Sequence, residues 1–326
     1  MEKLSPVVQE AFGIHRRRIK REKGRYICDT ENGQVSVYIA SESPEVIQLQ
    51  HSLKEHLAEK GFPWTDRYQP AVTGQPFVSI GREVYVMVKY PDEYRETDFD
   101  NEAEILQAFR FLAHFHITAR DMPYITAPLF HSLPIQEIFT RQINELAQAG
   151  KQARRVPRMS DFDVSFIKHA TRYGEIMQDS LNRLSGTDYV KFHSQAAARG
   201  AICHNNLKEE NLLAAKGDTY IFNFSEVTVD LQLTDLAALI RRYAERSNKL
   251  IPINRLLEAY NTVNPLQPGA CEILYSLLIF PWAFIKIVNQ YYSKRRNWTP
   301  GGLINRMDVI LAERDSYEKY VDAVRQ

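Results

Sequence analysis

The chain has 326 residues, of which 44% are hydrophobic and 25% charged, and its formal net charge is +1. That length supports two lobes and a substantial core, and that composition is the one expected of a folded globular protein, not a disordered one. A balance so close to neutral gives no global push toward nucleic acid or membrane, and neither is expected as a partner. Three cysteines, Cys28, Cys203 and Cys271, are odd in number and far apart, which suggests a reducing compartment and no zinc site. The Met1–Phe12 start lacks the positive-then-apolar pattern of a signal peptide, so cytoplasmic synthesis is expected. The longest uncharged apolar stretch, Ile273–Ile285, is too short to span a bilayer and is interrupted by Pro281.

In chain order, the basic run His15–Arg21 reads as a solvated strand face, with an anionic partner site as the sharper alternative. Gly24–Asp29 and Gln34–Ala40 follow as strands joined at Glu31-Asn32-Gly33, a hairpin signal. Pro44–Lys60 predicts a helix, because Val46, Leu49, Leu53 and Leu57 recur at helical spacing and Gly61 marks the stop. Phe77–Ile80 and Val84–Tyr90 predict a further hairpin about Gly81-Arg82, and Pro91–Asp100 reads as a polar linker.

From Glu102 the pattern is helical, with Ile105, Phe109, Leu112 and His116 on one stripe. His114 and His116 lie two apart and share no helix face, so they are not read as metal ligands. Gly150–Arg158 is a basic loop. Ser160 with Asp163 resembles a capping box ahead of a core stripe of Phe166, Ala170, Tyr173, Met177, Leu181 and Leu184. Ile202–Leu213, ICHNNLKEENLL, and Tyr220–Leu236, YIFNFSEVTVDLQLTDL, are the chemically informative stretches. Thr234 reads as an N-cap, with Asp235 in the first turn behind it, where negative charge is favoured. Glu272–Tyr292 and Leu303–Val324 read as closing helices on either side of Trp298–Gly302.

A phosphotransferase needs a carboxylate to accept the substrate hydroxyl proton and oxygen ligands to hold Mg²⁺ on the phosphates. His204, Asn206, Asn211, Asn223 and Asp235 fall where the aminoglycoside phosphotransferase and choline kinase-like family has H-G-D-x-x-x-x-N, then D-F-D, then D-L-A. Glu83–Tyr90 running into Leu112–His116, and Leu278–Phe284, further resemble the bacterial spore coat kinase-like proteins of the S and I type. The resemblance implies an α+β fold of two lobes, protein kinase-like. A small antiparallel-sheet N-lobe with one helix takes residues 1–90, a hinge residues 91–101, and a mainly helical C-lobe residues 102–326. The C-lobe holds a catalytic loop at 202–213 and a metal hairpin at 220–236.

The same resemblance makes Asn206 the occupant of the base position. Asn211 and Asn223 stand at the metal and nucleotide positions, His204 is loop scaffold, and Asp235 is a structural brace. It puts Tyr38, in VSVYIA, where a strand Lys would hold the nucleotide phosphates, and it offers Glu55 as the helix Glu that such a Lys would meet. No G-x-G-x-x-G is present. A carboxamide cannot take a proton at neutral pH, and it offers Mg²⁺ one neutral oxygen. Glu226 or Asp230 could compensate for one loss, but not for three. The expectation is therefore a pseudokinase with no cofactor, serving as a structural or interaction component of the endospore coat, with other coat proteins as partners. The alternatives are an ATP- and Mg²⁺-dependent kinase of aminoglycosides, choline or sugars with displaced acids, and a nucleotide-binding sensor.

Overall fold

A computed structural model describes residues 4–14, 18–22, 24–30, 33–91, 93–121, 133–293 and 300–325. The first three residues of the basic run, the Glu31-Asn32 turn and Trp298-Thr299 lie outside the described residues.

Alternation at period two builds the N-terminal sheet. Strands β1 (Arg18–Glu22), β2 (Arg25–Thr30), β3 (Gly33–Ala40), β4 (Val78–Ile80) and β5 (Glu83–Lys89) pair antiparallel in the order β1-β2-β3-β5-β4. Val35, Val37, Tyr85 and Met87 point to one face, where they bury Leu4, Val8, Phe12 and Ile14 of the segment around helix α1 (Pro6–Ala11). Val86 and Val88 point to the other face, toward Ile47 of helix α2 (Pro44–Glu59).

Helix α2 ends in a Schellman motif. Phe62 N–H donates to Leu57 O and Gly61 N–H to Ala58 O, with Gly61 at φ +85°, a conformation costly for residues with a Cβ. The turn drives Phe62 into the C-terminal core beside Leu53 and Leu57, so α2 belongs to both lobes. The chain then runs past Trp64, whose carbonyl accepts from Ile221 N–H, and Thr65 forms a parallel bridge with Ile221.

The C-lobe is mainly helical. Its helices are α3 (Glu102–Thr118), α4 (Ile135–Ala153), α5 (Asp161–Ser185), α6 (Tyr189–Ala198), α7 (Leu233–Arg246), α8 (Ile253–Asn261), α9 (Ala270–Ile279), α10 (Trp282–Tyr292) and α11 (Pro300–Asp322). The expected capping box opens α5: Ser160 caps Asp163 N–H and the Asp163 carboxylate returns to Ser160 N–H. The stretch read as linker also carries a short strand, β6 (Arg95–Glu96), which pairs with β8 (Leu212–Ala215) and ties residues 95–96 to the hairpin β8–β9 (Asp218–Ile221). Ala270–Tyr292 is apolar and long enough to cross a membrane, but it is 72% buried in the fold. It breaks into α9 and α10 at Pro281, which lacks the N–H that a continuous helix requires.

Candidate functional site

Strand β7 (Ile202–Cys203) pairs with β10 (Thr228–Val229) and delivers the loop that follows to the start of α7. There Asp235, fully buried, accepts from His204 N–H at 2.6 Å and from Asn205 N–H at 2.7 Å. A third contact comes from His116 Nε2 at 3.2 Å. The Asp235 carboxylate only accepts, so Nε2 carries a proton; with burial keeping the ring neutral, Nδ1 accepts from the Tyr260 hydroxyl 2.7 Å away, which itself accepts from Asn264 Nδ2 at 2.8 Å. His116 is then neutral with its proton on Nε2, aimed at Asp235, and burial holds its pKa below the usual value. Asp235 thus ties the loop at His204 and Asn205 to α3 and to the start of α7. The N-cap of α7 is Gln232, not Thr234, whose hydroxyl instead donates back to Leu231 O at 2.9 Å. Gln232 Nε2 donates to the backbone carbonyls of His116 and Ile202, fixing α7 to α3 and β7.

The loop is also tied within itself. Asn205 takes φ +60°, which Asn tolerates better than most residues, and its Nδ2 donates to Glu226 O and Thr228 Oγ1. Asn206 N–H donates to His204 Nδ1 at 3.3 Å, and Asn211 Nδ2 donates to Asn206 O at 2.8 Å. Glu209 receives Arg242 Nε at 2.7 Å and Arg246 Nε at 2.6 Å, which clamps the loop to α7. His204, Asn206, Asn211 and Asp235 are therefore brought together.

Sequence reasoning missed the electrostatic centre of the site. Lys54 of α2 is fully buried, its Nζ 2.8 Å from Asp66 Oδ1 and 3.0 Å from Asp66 O. The other oxygen of Asp66 accepts from Asn223 N–H at 3.0 Å. The ammonium also lies 3.8 Å from the Tyr68 ring centroid and 5.0 Å from that of Phe224. Lys54–Asp66 thus joins helix α2 to the hairpin end at Asn223. Glu55, the residue considered for the helix acid, points elsewhere and pairs with Arg67. The signal was present: Ile47, Gln50, Lys54 and Leu57 lie on one helical stripe, and the structure buries all four.

Tyr38 lies on β3 opposite Val86, half-buried on the face toward α2. Burial first, then the Asp66 carboxylate, push its hydroxyl far above the usual phenol range, so it stays neutral. The Arg25 guanidinium sits 4.7 Å from the Tyr38 ring centroid and donates to the Tyr90 hydroxyl, while Tyr90 packs on Tyr94 and on Phe222, next to Asn223. A cation does stand at Tyr38, but it comes from β2 and is held by aromatic rings.

The donor set does not fit Mg²⁺. Asn211 and Asn223 offer neutral carboxamide oxygens, and that of Asn223 already accepts from Ser225 Oγ at 2.8 Å. Mg²⁺ is held by carboxylates together with substrate phosphates. Asp66, whose carboxylate accepts from Asn223 N–H, is paired with Lys54. Asp230, weighed as a replacement acid, accepts from Leu231 N–H and faces His193 at 3.7 Å. Among the described residues no group of three or more His, Cys, Asp or Glu side chains is placed to hold a metal ion.

His204 gives the loop a pH dependence. Burial pushes its pKa down from 6.5 to about 4, against the opposing pull of Asp235 and Asp66. Below pH 6.5 the unfolded chain takes up a proton that the folded loop refuses, so stability falls as pH drops from 6.5 and the loss levels off near 4. A depression of this size corresponds to about 3 kcal/mol at the acid end. Thermal denaturation of the wild type across this window should show that decline, and His204→Gln should flatten it; parallel profiles would contradict the assignment.

Comparison with known proteins agrees with this architecture. The family model "Spore coat putative kinase YutH" matches residues 5–324. The chain is 22% identical over 331 residues to the endospore coat-associated protein YutH of Bacillus subtilis, covering 98% of this chain and 92% of that protein. It is also 22% identical over 320 residues to spore coat protein S of the same organism, covering 95% and 90%. In structure it is similar to an aminoglycoside phosphotransferase from Alicyclobacillus acidocaldarius, with a TM-score of 0.88 at 17% identity, covering 100% of this chain and 97% of the other. Spectinomycin phosphotransferase APH(9)-Ia follows with a TM-score of 0.67 at 12% identity, covering 98% and 95%. With the kinase-like fold in place and the family model spanning nearly every residue, the chain belongs to the spore coat YutH family.

Proposed function

We propose that this protein is a pseudokinase of the endospore coat, retaining the kinase scaffold as a structural or interaction component without phosphoryl transfer. One observation carries the reading: the positions that require carboxylates, for the base and for the metal, hold the carboxamides of Asn206 and Asn223. Neither can accept a proton at neutral pH or supply charge to Mg²⁺. The names of the relatives support the coat setting. The bracing network supports a scaffold role, because Asp235, His116 and Glu209 are spent on holding the loop.

Turnover is the direct check. With γ-phosphate-labelled ATP and Mg²⁺, and with aminoglycosides, choline or sugars as acceptors, phosphate release and transfer should not exceed the no-protein blank. Release above the blank that disappears in Asn211→Ala would overturn the reading in favour of a phosphotransferase with displaced acids.

A further inference from the structure

The basic stretch at residues 150–158, expected to be a loop, is the last turn of α4 through Ala153 and the short segment behind it; it plays no part in the site above, yet it lines one end of an open groove. The groove has two adjoining parts, of ≈ 510 and ≈ 880 Å³, that share Gln148 and Gln152. Helix α4 and that segment form one wall, and α10 with Arg241 of α7 forms the other. Arg141, Lys151, Arg155, Arg241 and Lys286 line these two parts against Glu145, and an adjoining part that shares Arg141, Glu145 and Gln148 adds Glu137. In a chain whose net charge is only +1, that is a local concentration of positive charge. Among the described residues, no carboxylate lies within ion-pair distance of Lys151, Arg155, Arg241 or Lys286, and Arg141 meets Glu145 only at 4.0 Å. Glu145 beside Arg141 and the Glu245 charge acting on Arg241 offset part of this, and cations in excess over carboxylates along a concave surface focus the field and attract anionic partners.

The remaining lining argues for a polypeptide. Gln148 and Gln152, both exposed, present carboxamides that can donate and accept, as a peptide backbone requires, whereas Asn289 Nδ2 is spent on Gln142 Oε1 at 3.0 Å and Glu145 Oε2 at 2.7 Å. Nucleic acid would need open aromatic faces on which bases stack. Trp282 is instead packed against Phe280 at 4.7 Å and Phe139 at 5.7 Å, with the Arg241 guanidinium 5.7 Å from its ring. We propose that this groove docks an extended acidic segment of a partner protein, its carboxylates on the cations of residues 150–158 and α10 and its backbone on the carboxamides. The proposal adds a partner chemistry to the interaction role proposed above.

The test is fluorescence anisotropy on the full chain, using a short labelled peptide of alternating Glu and Tyr, with no nucleotide present. The wild type should bind this peptide, bind a Lys–Tyr peptide not at all, and bind an oligothymidylate of equal charge more weakly. Lys151 and Arg155 are exposed, so Lys151→Glu/Arg155→Glu should fold normally and weaken binding by roughly tenfold or more, whereas Arg82→Glu on the β4–β5 turn should leave it unchanged. Lys286→Glu, on the opposite wall, should act in the same direction. No binding of the acidic peptide, equal loss in the Arg82 variant, or tighter binding of the oligonucleotide would each overturn the proposal. Because ATP is absent, that failure would leave the pseudokinase reading standing, and detected turnover would leave the groove standing.

Discussion

Asp66→Ala is expected to cost about 3–5 kcal/mol of stability, because it strands a buried ammonium. At the 2.8 Å separation of Lys54 and Asp66, the attraction is about 6 kcal/mol at an effective dielectric constant of about 20. Removing both ions from water costs several kcal/mol each, so the intact pair contributes little net stability, while breaking it is expensive. Two further groups suffer in the variant: Asn223 N–H loses its acceptor, and Lys54 keeps only the Asp66 carbonyl and the rings of Tyr68 and Phe224. Burial already holds the Lys54 pKa below the usual lysine value, so the stranded ammonium can shed its proton. The penalty should therefore shrink as pH rises. Lys54→Met should be comparably damaging, since it strands the carboxylate. Lys54→Met/Asp66→Asn should recover most of the loss, because Asn retains an acceptor for Asn223 N–H. Urea denaturation of the wild type, Lys54→Met, Asp66→Asn and their double variant closes the cycle, with Asp66→Ala measured beside them; Lys54→Met or Asp66→Ala within about 1 kcal/mol of wild type would refute the assignment.

Asp235→Ala should destabilise by roughly 3 kcal/mol, because it orphans the buried His204 N–H, the part-buried Asn205 N–H and the Nε2–H of His116 together. In a chain of this size that is a fall in Tm of roughly 4 °C. Asp235→Asn keeps one acceptor and should lose less. The ranking Ala worse than Asn, followed by circular dichroism, identifies a brace. A residue kept only for chemistry would show no stability change in either variant.

The loop and hairpin residues were legible in the sequence because their spacing is local: His204, Asn206 and Asn211 fall within eight positions, and Asp235 follows an apolar hairpin. The lock between the lobes was not, because it depends on the rotation of one helix. A stripe drawn through Val46, Leu49, Leu53 and Leu57 leaves Lys54 on a flank, whereas the observed face runs through Ile47, Gln50, Lys54 and Leu57. A Lys reads as solvent-facing unless its partner is known, and the third member, Asn223, lies 157 residues from Asp66. The start of α7 illustrates the same limit at short range. Thr234 has the chemistry of a cap, but the observed cap, Gln232, uses its side chain to hold α3 and β7 instead. No local pattern encodes that choice.

The measurement closest to the central claim is thermal denaturation titrated with ATP and Mg²⁺. A ligand of the folded state at one hundred times its Kd would add about 2.7 kcal/mol and raise Tm by roughly 2 °C or more. If, as proposed, the carboxamides of Asn206 and Asn223 stand at the base and metal positions and Tyr38, beside Arg25, replaces a strand Lys, millimolar Mg²⁺–ATP should give no shift beyond that of Mg²⁺-free pyrophosphate. A shift that requires both the adenine and the Mg²⁺ would contradict the account.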